Sequence, residues 1–230
     1  MEKFNITDNI IYDEERLISV RNTKEFSCTN RIWNILHFNS RQNVGHLMAL
    51  INNCNPKSYK EWVNYYLLYR SKEYNESQLF HSLIHKFADA ARISNENSYK
   101  FIIIRVLYET WIGYQRESKT MTILAGFAKK NGLFALKSSD LDDIHKSIDY
   151  VLCYRGRPVL NIQAKSEKFL NTVNNAILEN ISCKQVQDYS LNKKQLYEEY
   201  LRTGVSFQII SYEDIAKGKI ALPNYIKKRP

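Results

Sequence analysis

The sequence "SIDYVLCYRGRPVLNIQAKS", residues 147–166, decides the fold of the C-terminal half of the chain. Two apolar runs flank a short segment containing Gly156, and this pattern predicts two strands joined by a tight turn. Since alternate residues of a strand share a face, Gln163 and Lys165 are expected on one face of the second strand. Asp149 of the first strand is then expected to meet them at one end of the hairpin.

The two faces of this predicted hairpin differ in polarity. One face is apolar and carries Ile148, Tyr150, Leu152, Leu160, Ile162 and Ala164. The other face carries Asp149, Val151, Cys153, Asn161, Gln163 and Lys165. An acid, an amide and an amine at one end of an otherwise apolar hairpin favour a functional site. The plainer alternative is an exposed ion pair between Asp149 and Lys165.

These residue types suit the hydrolysis of phosphodiester bonds with Mg²⁺ as cofactor. Mg²⁺ prefers hard oxygen ligands, so we expect Asp149 as the main metal ligand and Gln163 as a secondary one, with the backbone carbonyl of Ala164 and water completing the set. A bound Mg²⁺ lowers the pKa of its water and offsets charge on the phosphate. The Lys165 ammonium is expected to position or deprotonate the attacking water and to stabilise the negative transition state.

A second carboxylate is expected from the helical segment upstream of the hairpin. Glu117, in "TWIGYQRES", is the preferred candidate for a catalytic and metal-binding acid. Glu109 is the alternative, because it lies about two helical turns earlier on a similar face. Arg116 and Lys119 are close to Glu117 in the sequence, so a solvated surface position explains Glu117 equally well.

Apolar spacing divides the rest of the chain into a helical half and a mixed half. The first thirty or so residues show no clear period and predict loop with one short strand. Residues 31–131 predict helices, the last of them bent near Gly113, and further helices are expected at about 168–180 and 190–202. After the helical half the predicted order is β-β-β-α-β. The pattern therefore predicts an α/β (α+β) fold, with a mixed central sheet flanked by helices and an added N-terminal helical region.

Composition and charge narrow the class of protein. The 230 residues are 44% hydrophobic and 13% aromatic, which excludes wholesale disorder. No apolar run approaches the roughly 20 residues that a membrane span needs, the acidic N-terminal stretch lacks a secretory signal, and the four cysteines lack metal-binding or redox spacing. A cytoplasmic protein is therefore expected. Its net charge of +9 and pI of about 9.2 favour a polyanionic partner such as nucleic acid.

The hairpin sequence "IDYVLCYRGRPVLNIQAKS" resembles the acidic strand, turn and (D/E)-x-K strand of the PD-(D/E)XK nucleases, the restriction-endonuclease-like superfamily. Gln163 replaces the second acid of that motif, so the chain is similar to the Q-x-K variant. The resemblance implies a mixed sheet flanked by helices and Mg²⁺-dependent cleavage by Asp149, Gln163 and Lys165. The helix that carries Glu117 matches the acidic helix upstream of the motif in such nucleases.

Three stretches of the helical half, "NSRQNVGHLMALI", "YKEWVNYY" and "YETWIGYQRE", resemble the MjaI-type type II restriction endonucleases, which cleave short palindromic DNA. This resemblance implies double-stranded DNA as the partner and a homodimer in which each subunit cuts one strand. It also implies a mainly helical DNA-recognition region at residues 1–100 and a nuclease core at residues 101–230, combined in one integrated domain.

Five residues become candidates for DNA contacts on the basis of this resemblance. Arg41, Gln42 and Asn43 carry hydrogen-bond donors and acceptors that match base edges or phosphate. Arg155 and Arg157, on the hairpin turn, are expected within reach of phosphate. A polar loop without any role in binding is the alternative for the first three.

Two other functions are compatible with the same fold. One is a structure-selective nuclease such as a junction resolvase, or a transposition or homing endonuclease. Cutting of branched DNA in preference to linear duplex would decide for this alternative. A DNA-binding protein that has lost nuclease activity, with Gln163 marking the lost acid, would bind DNA in a salt-sensitive way without cleaving it.

Overall fold

The computed structural model describes residues 9–73, 76–138 and 146–227. It describes only the backbone of residues 9, 10, 41, 42, 70–73, 76–81 and 227. The chain divides into two compact units, Met1–Arg116 and Glu117–Pro230, and the boundary falls inside a long helix. Each unit has a hydrophobic core of its own. The sequence-based division at residue 100, and the roles assigned to the two regions, stay predictions.

Helices form the regular structure in the described part of the first unit. They are α1 (Glu14–Arg21), α2 (Lys24–Ile35), α3 (Arg41–Val44), α4 (Leu47–Cys54), α5 (Tyr59–Glu73), α6 (Glu76–Ala91) and α7 (Asn95–Ile102), preceded by a 3₁₀ turn at Asn9–Tyr12. The prediction of loop and one strand for the first thirty residues is wrong over residues 9–30, where capped helices occur, and residues 1–8 lie outside the described part of the chain. The Asp13 side chain accepts a hydrogen bond from the Arg16 N–H and caps α1. The Thr23 hydroxyl accepts one from the Phe26 N–H and caps α2.

A π-helical segment, Ile103–Tyr108, joins α7 to the long helix α8 (Glu109–Lys130). Regular α-helical hydrogen bonding is interrupted in this segment and not at Gly113, where the sequence predicts a bend. The Trp62 indole Nε1 donates to Leu107 O at 3.1 Å and gives a carbonyl of the segment a partner outside the helix. No helix in the described part of the chain is both long and apolar enough to cross a membrane.

The second unit carries a four-stranded mixed sheet. Its strands are β1 (Phe134–Lys137), β2 (Tyr150–Tyr154), β3 (Arg157–Lys165) and β4 (Ser206–Ser211), and its further helices are α9 (Glu167–Leu178), α10 (Lys184–Thr203), α11 (Tyr212–Ala216) and α12 (Asn224–Lys227). The strands lie side by side in chain order, with β1, β2 and β3 antiparallel and β4 parallel to β3. The predicted α+β fold is confirmed. Helix α10 begins six residues before the predicted start at residue 190 and ends, as predicted, before Gly204, whose φ is 72°.

The hairpin of β2 and β3 is the one that the sequence predicts. Arg155 and Gly156 form its two-residue turn with φ angles of 48° and 76°, and hairpin turns favour such positive φ angles. The register pairs Tyr150 with Ile162, so the predicted apolar residues of the two strands share a face. A register shift occurs just before Cys153, and Cys153 is buried. The predicted alternation of faces therefore holds along β2 only up to this irregularity.

Helices cover both faces of the sheet in the second unit. Leu124 of α8 packs in one core with Tyr150, on the apolar face. On the opposite face, Tyr200 of α10 lies 6.5 Å from Phe207 of β4, measured between ring centroids. Strand β3 is consequently buried along its central residues, whereas Lys165 at its end is only half-buried. This edge of the sheet is the place where the predicted functional side chains come together.

Candidate active site

Asp149 lies immediately before β2, and hydrogen bonds hold it from both neighbouring strands. Its N–H donates to Ile162 O at 2.9 Å, and its carbonyl accepts from the Ser138 N–H at 3.0 Å. Its Oδ2 accepts from the Ala164 N–H at 2.6 Å, so the carboxylate serves as an acceptor where the ladder of main-chain hydrogen bonds ends. The half-buried Asp149 carboxylate is therefore held beside the backbone segment that links Gln163 to Lys165.

Gln163 presents a buried oxygen that lacks a partner in the described part of the chain. Its side chain is 2% exposed, and its Oε1 has no hydrogen-bond partner among the described residues. Leaving a buried acceptor unpaired costs about 1–3 kcal/mol, and native proteins pair nearly all such atoms. A cation held at this oxygen would remove the cost, and amide oxygen is a ligand type that Mg²⁺ accepts.

Lys165 lies at the end of β3, where its register partner in β4 is Ser211. It shares a face of the strand with Gln163, as predicted from their spacing. Its Nζ lies 6.0 Å from the ring centroid of Phe169 in α9. The half-buried Lys165 thus places an ammonium group at the same edge of the sheet as the Asp149 carboxylate.

Glu117, in α8, lies close to the same buried phenol as Asp149. Burial raises the pKa of Tyr150 well above its ordinary value, and the nearby Tyr212, Glu117 and Asp149 raise it further, against a smaller opposing effect of a hydrogen bond with Thr120. The Tyr150 hydroxyl therefore stays protonated over the ordinary working range of pH, and the Glu117 and Asp149 carboxylates both act on it electrostatically.

The Glu117 carboxylate is already paired with a cation. Its Oε2 accepts from Lys137 Nζ of β1 at 2.6 Å, and the two side chains are 30% and 43% exposed. The alternative acid, Glu109, belongs to the first unit, where it binds Arg21 at 3.1 Å and Arg105. Of the two acids, Glu117 is the one that shares a unit with Asp149.

The donor set at this edge fits Mg²⁺ with a small number of protein ligands. Asp149 would supply a charged oxygen and Gln163 the unpartnered amide oxygen, with the Glu117 carboxylate as a third donor. Within the described ranges, His, Cys, Asp and Glu side chains do not gather in groups of three or more that could enclose a metal ion. Mg²⁺ commonly keeps several waters and binds through one or two carboxylates together with substrate phosphate, so this sparse set suits a metal shared with DNA.

The predicted DNA-contact residues lie at two separate places in the chain. Arg155 and Arg157 are exposed at the hairpin turn, and the Arg155 guanidinium lies 5.2 Å from the ring centroid of Tyr154. Asn43 is in α3, and its Nδ2 donates to Phe38 O at 3.3 Å. The side chains of the other two candidates, Arg41 and Gln42, lie outside the described part of the structure. All five DNA contacts stay predictions.

Two neighbours of the site were missed by sequence reasoning. Lys137 contacts Glu117 across 20 positions of the chain, and its place in a short, mostly exposed strand offered only a weak signal. Ser147 contacts Asn192 and Gln195 of α10 across 45 and 48 positions. No local sequence pattern predicts contacts over such separations, because they form only when α10 packs on the sheet.

Restoring an acid at position 163 is expected to couple folding stability to metal binding. In the metal-free protein, Gln163→Glu should lower the midpoint of thermal unfolding, because it buries a second carboxylate close to Asp149. Adding Mg²⁺ or Mn²⁺ should reverse the loss, since a ligand that binds only the folded state stabilises it. The affinity for Mn²⁺ should rise by about tenfold, as about 1.4 kcal/mol of added attraction would give.

Calorimetry and thermal melts with and without metal measure this effect. Gln208→Glu is the matched control, because Gln208 lies in β4 of the same sheet and its Oε1 accepts from the Ala221 N–H at 3.1 Å. A Gln163→Glu variant whose melting midpoint responds to metal no more than that of Gln208→Glu would contradict the assignment of Gln163 as a ligand.

Comparison with protein-family models identifies a match that covers most of the chain. The model described as MjaI restriction endonuclease matches residues 27–215. This range includes α8, the hairpin, β4 and every candidate residue of the site. Comparisons with curated proteins and with solved structures found no match.

Proposed function

Since the chain belongs to the MjaI restriction endonuclease family, we propose that it is a Mg²⁺-dependent, site-specific type II deoxyribonuclease acting on double-stranded DNA. Membership makes it a DNA endonuclease of a restriction system. The Mg²⁺ dependence is supported chiefly by the unpartnered, buried Oε1 of Gln163 on the strand next to the Asp149 carboxylate. The expected cytoplasmic location stays a prediction.

Each polar group at the edge of the sheet has a distinct proposed role. Asp149 and Gln163 hold the metal, with Glu117 as the further acid. Bound Mg²⁺ would supply a water of lowered pKa and positive charge opposite the phosphate. Lys165, as an ammonium, orients the attacking water and donates hydrogen bonds to the phosphate oxygens as negative charge grows. The water oxygen forms the new bond to phosphorus while the bond from phosphorus to the leaving sugar oxygen breaks, and protons exchange with solvent.

Cleavage of both strands at a palindromic site requires two such centres. We propose a homodimer in which each copy cuts one strand, because a twofold axis in the protein matches the twofold symmetry of the site. The +9 net charge of the chain supports a polyanionic substrate. Arg155 and Arg157, exposed on the turn that ends the hairpin, remain the proposed phosphate contacts in the second unit.

Incubation of the protein with plasmid DNA and Mg²⁺ tests this function. We expect discrete fragments that repeat from one preparation to another, and we expect EDTA to abolish them. Preferential cutting of branched DNA over linear duplex would instead support a structure-selective nuclease. Salt-sensitive DNA binding without cleavage in Mg²⁺ would support a DNA-binding protein that has lost its activity.

A further inference from the structure

A buried serine two residues before Asp149 is anchored to α10. Ser147 is 4% exposed. Its Oγ lies 3.0 Å from Oδ1 of Asn192 and 2.5 Å from Oε1 of Gln195. A hydroxyl carries one proton, so it donates to one of these amides and accepts from the other once that amide presents its NH₂ group. One side chain on the approach to the site therefore binds two residues that lie on one face of α10.

The backbone of Ser147 adopts a conformation that a serine rarely takes. Its φ is +54°, in the left-handed region that L-residues with a Cβ generally avoid. Such conformations persist where the surrounding structure holds them, and they cluster at functional sites. The two hydrogen bonds to α10 are contacts that can hold the residue in this turn. Lys146, the residue before it, lies 3.8 Å from Glu199 of the same helix.

The turn at Ser147 lies two residues before Asp149 in the chain. After this turn, which α10 contacts through its side chains, the chain enters β2, and the carbonyl of Ile148 accepts from the Ser138 hydroxyl. One residue later, the Asp149 carboxylate meets the Ala164 N–H at 2.6 Å. If the turn relaxed toward an extended conformation, Asp149 would move along the sheet and its Oδ2 would lose this donor.

We propose that Ser147, held by Asn192 and Gln195, is a positioning residue that sets the Asp149 carboxylate for metal binding. The claim that Ser147 positions Asp149 is based on the hydrogen bonds around Asp149. The claim that this positioning serves metal binding rests on the proposed function. In this arrangement α10 does more than cover the sheet. Its polar face determines the orientation of the first metal ligand.

The NMR chemical shift of the Ala164 amide proton reports the position of the Asp149 carboxylate, because this N–H donates to Oδ2. The measurement needs no metal. Protein labelled with ¹⁵N at alanine is compared as wild type, Ser147→Ala and Asp149→Ala. We expect Ser147→Ala to shift the Ala164 amide signal in the same direction as Asp149→Ala, because both remove the carboxylate from the N–H. Ser98→Ala is the matched control: Ser98 is fully buried in the first unit, and its hydroxyl donates to Ile84 O at 2.8 Å. An unchanged Ala164 signal in Ser147→Ala overturns the proposal.

Affinity for Mn²⁺, measured by electron paramagnetic resonance on the metal alone, tests the consequence for the ligand. Removing a residue that orients a metal ligand commonly weakens binding by 10–100-fold, so we expect about a tenfold loss in Ser147→Ala and none in Ser98→Ala. Should Ser147→Ala fail to fold, Gln195→Ala takes its place in both experiments. Wild-type Mn²⁺ affinity in the folded variant overturns the role in metal binding.

The variant Ser147→Gly distinguishes the effect of losing the hydroxyl from the effect of backbone strain at this position. Glycine adopts positive φ without cost, so this variant removes the backbone strain, and it also loses the two bonds that fix the turn against α10. We expect it to behave like Ser147→Ala, and wild-type behaviour overturns the role assigned to the hydroxyl. If Asp149→Ala binds Mn²⁺ like the wild type, the proposed function fails and the role of Ser147 in metal binding fails with it. The Ala164 signal still decides whether Ser147 positions Asp149.

Discussion

Replacing Lys165 with alanine is expected to lower the rate of DNA cleavage by about 10³-fold, a typical effect of removing a group that donates to developing charge or transfers a proton. Affinity for DNA should change little, because one lysine contributes only one of many phosphate contacts. The large effect on rate follows from position. Lys165 lies at the end of β3, two residues after Gln163, and its ammonium is held at the edge where the scissile phosphate is proposed to bind.

Single-turnover cleavage of a plasmid at saturating protein measures this rate, and DNA binding without metal ions measures affinity. Lys168→Ala is the matched control, since Lys168 is an exposed lysine in the first turn of α9, three residues further along the chain. Its loss should alter binding in low salt at most. Cleavage by Lys165→Ala at a rate within tenfold of wild type would show that this ammonium takes no direct part in hydrolysis.

Substitution of Asp149 is expected to abolish cleavage, and two variants separate its charge from its hydrogen bond. Asp149→Asn keeps an oxygen that can accept from the Ala164 N–H but removes the negative charge that attracts metal. A catalytic metal supplies several kcal/mol of transition-state stabilisation, and each 1.4 kcal/mol is worth about tenfold in rate. We therefore expect Asp149→Asn to lose about 10³-fold or more in rate while its stability stays close to wild type.

Asp149→Ala removes both properties and should differ from Asp149→Asn in stability. Without Oδ2 the part-buried Ala164 N–H loses its partner, at a cost of about 1–3 kcal/mol. Chemical denaturation measures the free energy of unfolding of both variants, and Mn²⁺ titration measures their metal affinity. Cleavage by Asp149→Asn at the wild-type rate would show that Asp149 is not a ligand of the catalytic metal. Equal stability of the two variants would mean that the Ala164 hydrogen bond contributes little.

The ion pair of Glu117 with Lys137 is compatible with a role for Glu117 as a ligand. Both side chains are partly exposed, and a pair of this kind is worth about 0–1 kcal/mol. A divalent cation bound at Asp149 as proposed would therefore displace the ammonium at small cost. Glu109 is in a different position, because two guanidinium groups share its carboxylate.

Sequence reasoning succeeded where the determining contacts are local. The turn at Arg155-Gly156 brings Asp149 within hydrogen-bonding distance of the segment around Gln163, and all of these residues lie within one hairpin. The prediction for residues 9–30 was wrong, because the two short helices there depend on the caps Asp13 and Thr23. Helices of 8 and 12 residues give too few turns for a clear apolar period, and most of their stability comes from packing.

The hairpin, its apolar faces and the meeting of an acid, an amide and an amine follow from the amino-acid order alone, because strand alternation and a two-residue turn leave one register that buries the apolar face. Folding of the whole unit decides the rest. The burial of the Gln163 oxygen, which has no partner among the residues that the structure describes, depends on helices that pack on the sheet. The pairing of Glu117 with Lys137 and the anchoring of Ser147 to α10 depend on them too. Such contacts join distant residues, and their geometry exists only after the entropy of closing the intervening chain has been overcome.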